Sequence, residues 1–158
     1  MLGNYPASHD YSLRQLEALA ALAGVGPEST ERQIIQVGVD IAQRATGSEI
    51  AYIHFLNEDE ETIELGTWSH DTLAHCTTTY DRHYPVRAAG NWADTVRTRC
   101  PVLHNDFAQS PNQRGLPEGH NPLHRHLGVP IEVEGHIRLL IGVGNKPEPY
   151  HDEDIQTV

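Results

Sequence analysis

Apolar residues recur along this chain with two periods, and the change of period marks its elements. In residues 12–23, Leu13, Leu16, Ala20 and Ala23 recur at helical spacing among strong helix formers. Ser12 is the expected N-cap, residues 1–10 read as a loose lead-in, and Gly24, Gly26 and Pro27 stop the helix. A second helix is expected from Ser29 or Thr30, with Glu28 and Glu31 at its positive end. Its apolar stripe is Ile34, Val37, Ile41 and Ala45, and Gly47 ends it.

The period then drops to two. Residues 50–56 are apolar on both faces, as a central strand should be. Asn57 to Glu61 forms an acidic, solvated hairpin tip, and 62–68 is the returning strand. Ser69 caps a short helix containing Leu73, and the stretch CTTTYDRHYPV has the composition of an extended edge. Gly90 breaks it, and Asn91 is the expected cap of a helix through Arg99 with Trp92, Ala93 and Val96 inward. A short strand follows at 100–103, with Pro101 at its start. The segment 104–122 is a loop dense in Pro, Gly, Asn and His, and Pro122 is expected to open one helical turn through Arg125. Leu127, Val129, Ile131 and Val133 alternate, Glu134 and Gly135 make a tight turn, and Ile137, Leu139, Ile141 and Val143 alternate in the partner. HDEDIQTV then opens a helix capped by His151 or Asp152, and its short run is expected of a domain within a longer protein. The element order predicts an α+β fold around a mainly antiparallel sheet.

Composition narrows the function. The 158 residues suffice for one domain with a real core. A net charge of -11 argues against nucleic acid or an anionic membrane as partner, since both require clustered Lys and Arg. No apolar run is long enough to span a bilayer, and the N-terminus lacks the basic and apolar regions of a secretory signal, so a cytoplasmic location is the expectation. Eleven histidines make the net charge change steeply in mildly acid solution.

Several chemistries are weighed against the residues. His54, inside an apolar strand, reads as a core histidine satisfied by hydrogen bonds. His120, His124 and His126 suggest a metal, but Pro122 keeps His120 and His124 from one helical face, and no Cys or acid lies within the cluster. No metal site is therefore predicted. Gly142 and Gly144 lie at a strand end without a phosphate-binding Lys-Ser/Thr element, and no Gly-x-Ser-x-Gly elbow occurs.

The runs PVLHND, GLPEGHNPLHRHLGVPI and GHIRLLIGVGNKPEPYHDED together resemble the GAF domain. More narrowly they resemble the subfamily found in bacterial sensor histidine kinases and diguanylate cyclases, often beside PAS domains. The likeness covers about residues 28–158 and is strongest over 100–154. It implies a GAF-like (PAS-related) sheet of six strands, with terminal helices on one face and pocket loops with short helices on the other. Residues 1–27 are then an N-terminal linker or signalling helix. The matching positions imply a ligand site of Trp92, Asn105, Asp106, His120, Arg125, His126 and Asn145, with Lys146 beside it. Arg125 is the leading ligand contact, because a guanidinium in a covered loop grips a carboxylate or phosphate bidentately.

The function expected is a regulatory sensor module of a bacterial two-component or related signalling protein. It would bind an unidentified small molecule under the 104–126 loop and pass the signal through its terminal helices to a fused output domain. A homodimer through those helices is expected, with no nucleic-acid or membrane contact, no named cofactor and no catalysis. The alternative is a ligand-free dimerisation module. A third reading, reduction of free methionine sulfoxide as in some free-standing GAF proteins, would rest on Cys76 and Cys100, and the 104–126 loop carries no cysteine.

Overall fold

In the computed structural model, residues 7–75, 83–110 and 122–158 are described. Six strands form one sheet: β1 (Ile50–Leu56), β2 (Thr62–Trp68), β3 (His83–Pro85), β4 (Val102–His104), β5 (His126–Val133) and β6 (His136–Gly144), in the order β3-β2-β1-β6-β5-β4. All neighbours pair antiparallel. β1 is central and apolar on both faces, as its sequence requires. The β5–β6 hairpin turns at Glu134 and Gly135, with φ of 53° and 81°, the two left-handed residues of a tight hairpin turn.

One face of the sheet carries α2 (Glu31–Thr46) and α5 (Asp152–Thr157), with α1 (Ala7–Ala23) packed on α2. Thr30 closes a capping box with Gln33, and Gly47, at φ 69°, ends α2 in the left-handed region. Below lies an apolar core of Val39, Ala42, Ala51, Ile53, Leu127, Val129, Val143 and Tyr150. The opposite face is covered by the turns 86–88 and 91–93, α4 (Asp94–Thr98) and the turn 107–109, while α3 (His70–His75) follows β2.

Several expectations are corrected. α1 begins at Ala7, so part of the supposed lead-in is helical and Ser12 lies inside the helix. The helix α2 is sandwiched, so it has two buried sides. Val39, Ala42 and Thr46 face the sheet, while Ile41 and Ala45 face α1; Ile34 is exposed. α1 in turn meets α2 through Arg14, Ala18 and Ala21 and leaves Leu13, Leu16, Leu19 and Leu22 outward. Gly90, not Asn91, caps the turn before α4, because the Asn91 side chain is buried and bonds Ser110 instead. Residues 122–125 form no helical turn; the Asn145 side chain takes the Pro122 carbonyl and the His124 amide. A bulge at Arg138, between the pairs Ile131–Leu139 and Glu132–Ile137, turns Ile137 to the opposite face from Leu139. The acidic tip is engaged rather than simply solvated: the Glu60 carboxylate accepts from Arg99, from the Ile137 amide at 2.8 Å, and lies beside His136.

Candidate functional site: a histidine and aromatic face

Strand alternation turns Ile50, Tyr52, His54 and Leu56 of β1 away from α2. On the same face, β4 and β5 bring His104 and His126 together as direct cross-strand partners. The sheet floor between β1 and β5 is bare, because Gly128 and Gly142 pair with each other and Gly142 also pairs with Tyr52. A Cβ at Gly142 would overlap the Tyr52 ring, so glycine there lets the phenol lie flat on the sheet.

Tyr52 is the hub. Its hydroxyl lies 2.8 Å from His126 Nε2, with the two ring planes nearly parallel at 6°. Its ring meets His54 edge-on at 4.9 Å between centroids and Trp68 at 5.5 Å. Trp92, lowered from the turn before α4, stacks on His54 at 4.7 Å. At the other end His104 stacks on His126 at 5.8 Å, and Phe107 stands edge-on to both. Arg97 spans this cover from beneath, donating to the carbonyls of Val86, Ala89 and Gly90 and to Asp94.

Burial dominates the electrostatics. His54 and His126 are each pushed down to about 3, so both are neutral at ordinary pH. For His126 the neighbouring His104 adds to the effect of burial. His104 is lowered too, again by burial, with Asp94 and a backbone contact from Asn91 pulling the other way. Neutral His126 has spent one nitrogen on Tyr52, and its Nδ1 is buried with no hydrogen-bond partner. His104 Nε2 likewise makes no hydrogen bond, and Asp94 Oδ2 stands 3.8 Å away. Each such orphan costs about 1–3 kcal/mol. Two on adjacent stacked rings make an uncommon arrangement for a core built only for stability.

The residues expected at the site divide into two groups. Trp92 and His126 lie in the cluster. Asn105, Arg125, Asn145 and Lys146 instead build a clasp at the sheet end. The Asn105 carboxamide accepts from the Tyr150 amide at 2.7 Å and donates to the Tyr150 carbonyl at 3.0 Å. Arg125 Nη1 donates to the Lys146 carbonyl, and its Nε is buried without a hydrogen-bond partner. Lys146 Nζ reaches both oxygens of buried Asp154 on α5, at 2.7 and 2.9 Å. Asn145, at φ 59°, ties residues 122–124 down. The Tyr150 hydroxyl bonds Ser48 at 2.7 Å, and its pKa is raised to about 12 by burial. Asp106 is exposed and precedes the 107–109 turn. His120 lies outside the described residues, as does Cys76; His124 is exposed. Among the described residues no three His, Cys, Asp or Glu side chains converge as metal ligands.

Tyr52, His54, His104, Trp68 and Phe107 were not singled out as site residues. The signal for the first two was parity, since Tyr52 and His54 share a face of a strand buried on both sides. His104 required the β4–β5 register, which no local pattern specifies.

Comparison with known proteins fits this geometry. A family model described as GAF domain matches residues 28–158. The chain belongs to the GAF domain family. The GAF chain is 34% identical over 144 residues to the methyl sulfide methyltransferase-associated sensor of Methanosarcina acetivorans. That match takes in 90% of this chain but only 14% of the sensor, so this chain spans about a seventh of its relative. The GAF domain of a phosphoenolpyruvate-protein phosphotransferase from Coxiella burnetii superposes with a TM-score of 0.76 at 12% identity, over 96% of this chain and 87% of that one. The free methionine-R-sulfoxide reductase of Neisseria meningitidis, solved with its substrate, superposes with a TM-score of 0.70 at 9% identity, over 99% and 86%. At such identities these two share the fold and nothing finer.

No helix among the described residues is long and apolar enough to cross a membrane.

Proposed function

We propose that this GAF domain is a non-catalytic sensory module of a larger signalling protein, taking a small molecule against its histidine and aromatic face. The name of the Methanosarcina relative, a sensor, supports the reading. The observation that carries it is the wiring between the face and α5. His104 lies in the cluster, and the next residue, Asn105, holds both backbone groups of Tyr150. His126 lies in the cluster, and the preceding residue, Arg125, holds Lys146, which holds Asp154. Asn105 adjoins the end of β4 and Arg125 the start of β5, and both bond the segment leading into α5, so a shift of either imidazole moves a contact at the start of that helix. A ligand that binds one arrangement better biases both. The output domain, a histidine kinase or diguanylate cyclase by resemblance, lies beyond this chain.

The test is a metabolite screen by thermal shift on the full chain, with native mass spectrometry for co-purified molecules. A ligand at 100 times its Kd stabilises by about 2.7 kcal/mol. Binding that also slows amide exchange in α5 supports the relay; no binder in a broad library sinks it.

A second reading, a dimerisation module, draws on the outward leucines of α1. Leu16 and Leu19 are each 63% exposed on a helix whose other side already packs on α2. Leu16→Lys should alter folding stability by less than about 0.5 kcal/mol yet abolish self-association in sedimentation. A chain monomeric before the change refutes this reading.

A further inference from the structure

We infer that the stacked His104–His126 pair is the polar end of the ligand site, and that it takes an uncharged, flat molecule through a hydrogen-bonding group. The inference rests on the sensory reading above and adds the ligand's chemistry. On one patch of sheet His126 Nδ1 is buried without a hydrogen-bond partner, and beside it the buried His104 Nε2 makes no close hydrogen bond, with the Asp94 carboxylate standing 3.8 Å away. His126 is 0% exposed, so the complement to its Nδ1 must come from something enclosed with it. Around the pair the surfaces are flat: Phe107 stands edge-on to both imidazoles, and the Tyr52 ring lies in line with His126. Trp92 continues the same wall over His54.

Charge is disfavoured in both signs. An anion would meet neutral imidazoles and the Asp94 carboxylate, 3.8 Å from His104. The Arg97 guanidinium is occupied by three carbonyls and by that same Asp94. A cation would meet one carboxylate already paired with Arg97. A buried charge without a counter-charge is not tolerated, whereas a neutral donor or acceptor on a flat ring satisfies what is missing. Arg125, the residue best suited to a carboxylate, belongs to the clasp and holds Lys146.

The probes are benzamide, benzoate and benzylammonium, which share one ring and differ in charge. Binding to the full chain is measured by calorimetry, and the ring nitrogens by ¹⁵N spectra of histidine-labelled protein. Benzamide should bind at least tenfold more tightly than either ion and shift the His126 Nδ1 and His104 Nε2 resonances. His126→Phe and His104→Phe, which keep a flat ring without nitrogen, should each weaken benzamide at least tenfold. Should either variant fail to fold, the wild-type nitrogen shifts decide alone. Benzoate binding at equal or greater strength, above all if Arg125→Gln abolishes it, overturns the inference. Benzamide binding that leaves both resonances unmoved, or no binding by benzamide, also overturns it. In those cases a charged molecule found by the metabolite screen leaves the sensory reading standing, and an empty screen removes both.

Discussion

The two faces of this sheet use the same strands for opposite ends. Beneath α2 and α5 the contacts are aliphatic and closed, with Ala51, Leu127, Val39 and Val143 each 0% exposed. On the other side of the same strands, one residue along from Ala51, Ile53, Leu103 and Leu127, stand Tyr52, His54, His104 and His126. Among these polar groups the His126 Nδ1 and His104 Nε2 atoms are buried without a hydrogen bond. One face maximises apolar burial, which is non-directional and tolerant. The other carries unmet hydrogen-bonding groups at a cost, and native chains keep such costs where function uses them. The bare backbone of Gly128 and Gly142 belongs to the second face only.

That contrast can be broken from either side. Leu127→Ala strikes the closed face and should have the largest effect, a loss of about 2–5 kcal/mol and roughly 5–15 °C in Tm. Thermal unfolding measures it, and the His126 ¹⁵N resonances should stay put while the fold persists.

Acid strikes the other face. His54 and His126 have folded pKa values of about 3, below the unfolded 6.5. Between those values the unfolded chain binds protons that the folded one refuses, so stability falls as pH drops. From pH 7 to 5.5 the pair should remove about 2–3 kcal/mol, shared roughly equally. Urea unfolding at the two pH values measures the slope, and His126→Phe should remove about half of it. A slope unchanged by that substitution would show that the buried imidazoles are not its source.

Gly142→Ala pushes a methyl group into the Tyr52 ring. It should cost about 1–3 kcal/mol by overpacking and break the Tyr52–His126 contact, seen as a shift of the His126 Nε2 resonance. The equivalent small step on the closed face, Val143→Ile, should leave that resonance in place.

Asn105→Ala has the smallest effect on stability, about 1–2 kcal/mol for the lost pair of backbone bonds. Its signature is local. Amides of α5 should exchange faster while those of β1 and β6 do not, because the clasp is cut and the sheet is not.

Much of the architecture was legible because it is written in local chemistry. The Thr30 cap, the Gly47 stop, the alternation of β5 and the Glu134–Gly135 turn each follow from backbone preferences of a few neighbouring residues. Errors arose where one element has two partners or where a ladder slips. The stripe of α2 was assigned one buried side although α1 supplies a second, and the Arg138 bulge reversed the face of Ile137. The site was less legible. Asn105, Arg125 and Asn145 are recognisable as polar positions, but their partners lie 20 to 45 residues away: Pro122 and His124 for Asn145, Lys146 for Arg125 and Tyr150 for Asn105.

Residue order alone determined an α+β fold with a central two-sided strand and a β5–β6 hairpin, because periodicity and turn chemistry act over short distances. The GAF assignment rested on the likeness of three longer runs to that family. Only the tertiary structure decided which polar residues meet. The β4–β5 register set His104 against His126, the glycine pair let the Tyr52 hydroxyl reach His126, and the closing of the sheet shut water away from nitrogens that in the open chain would be fully hydrated.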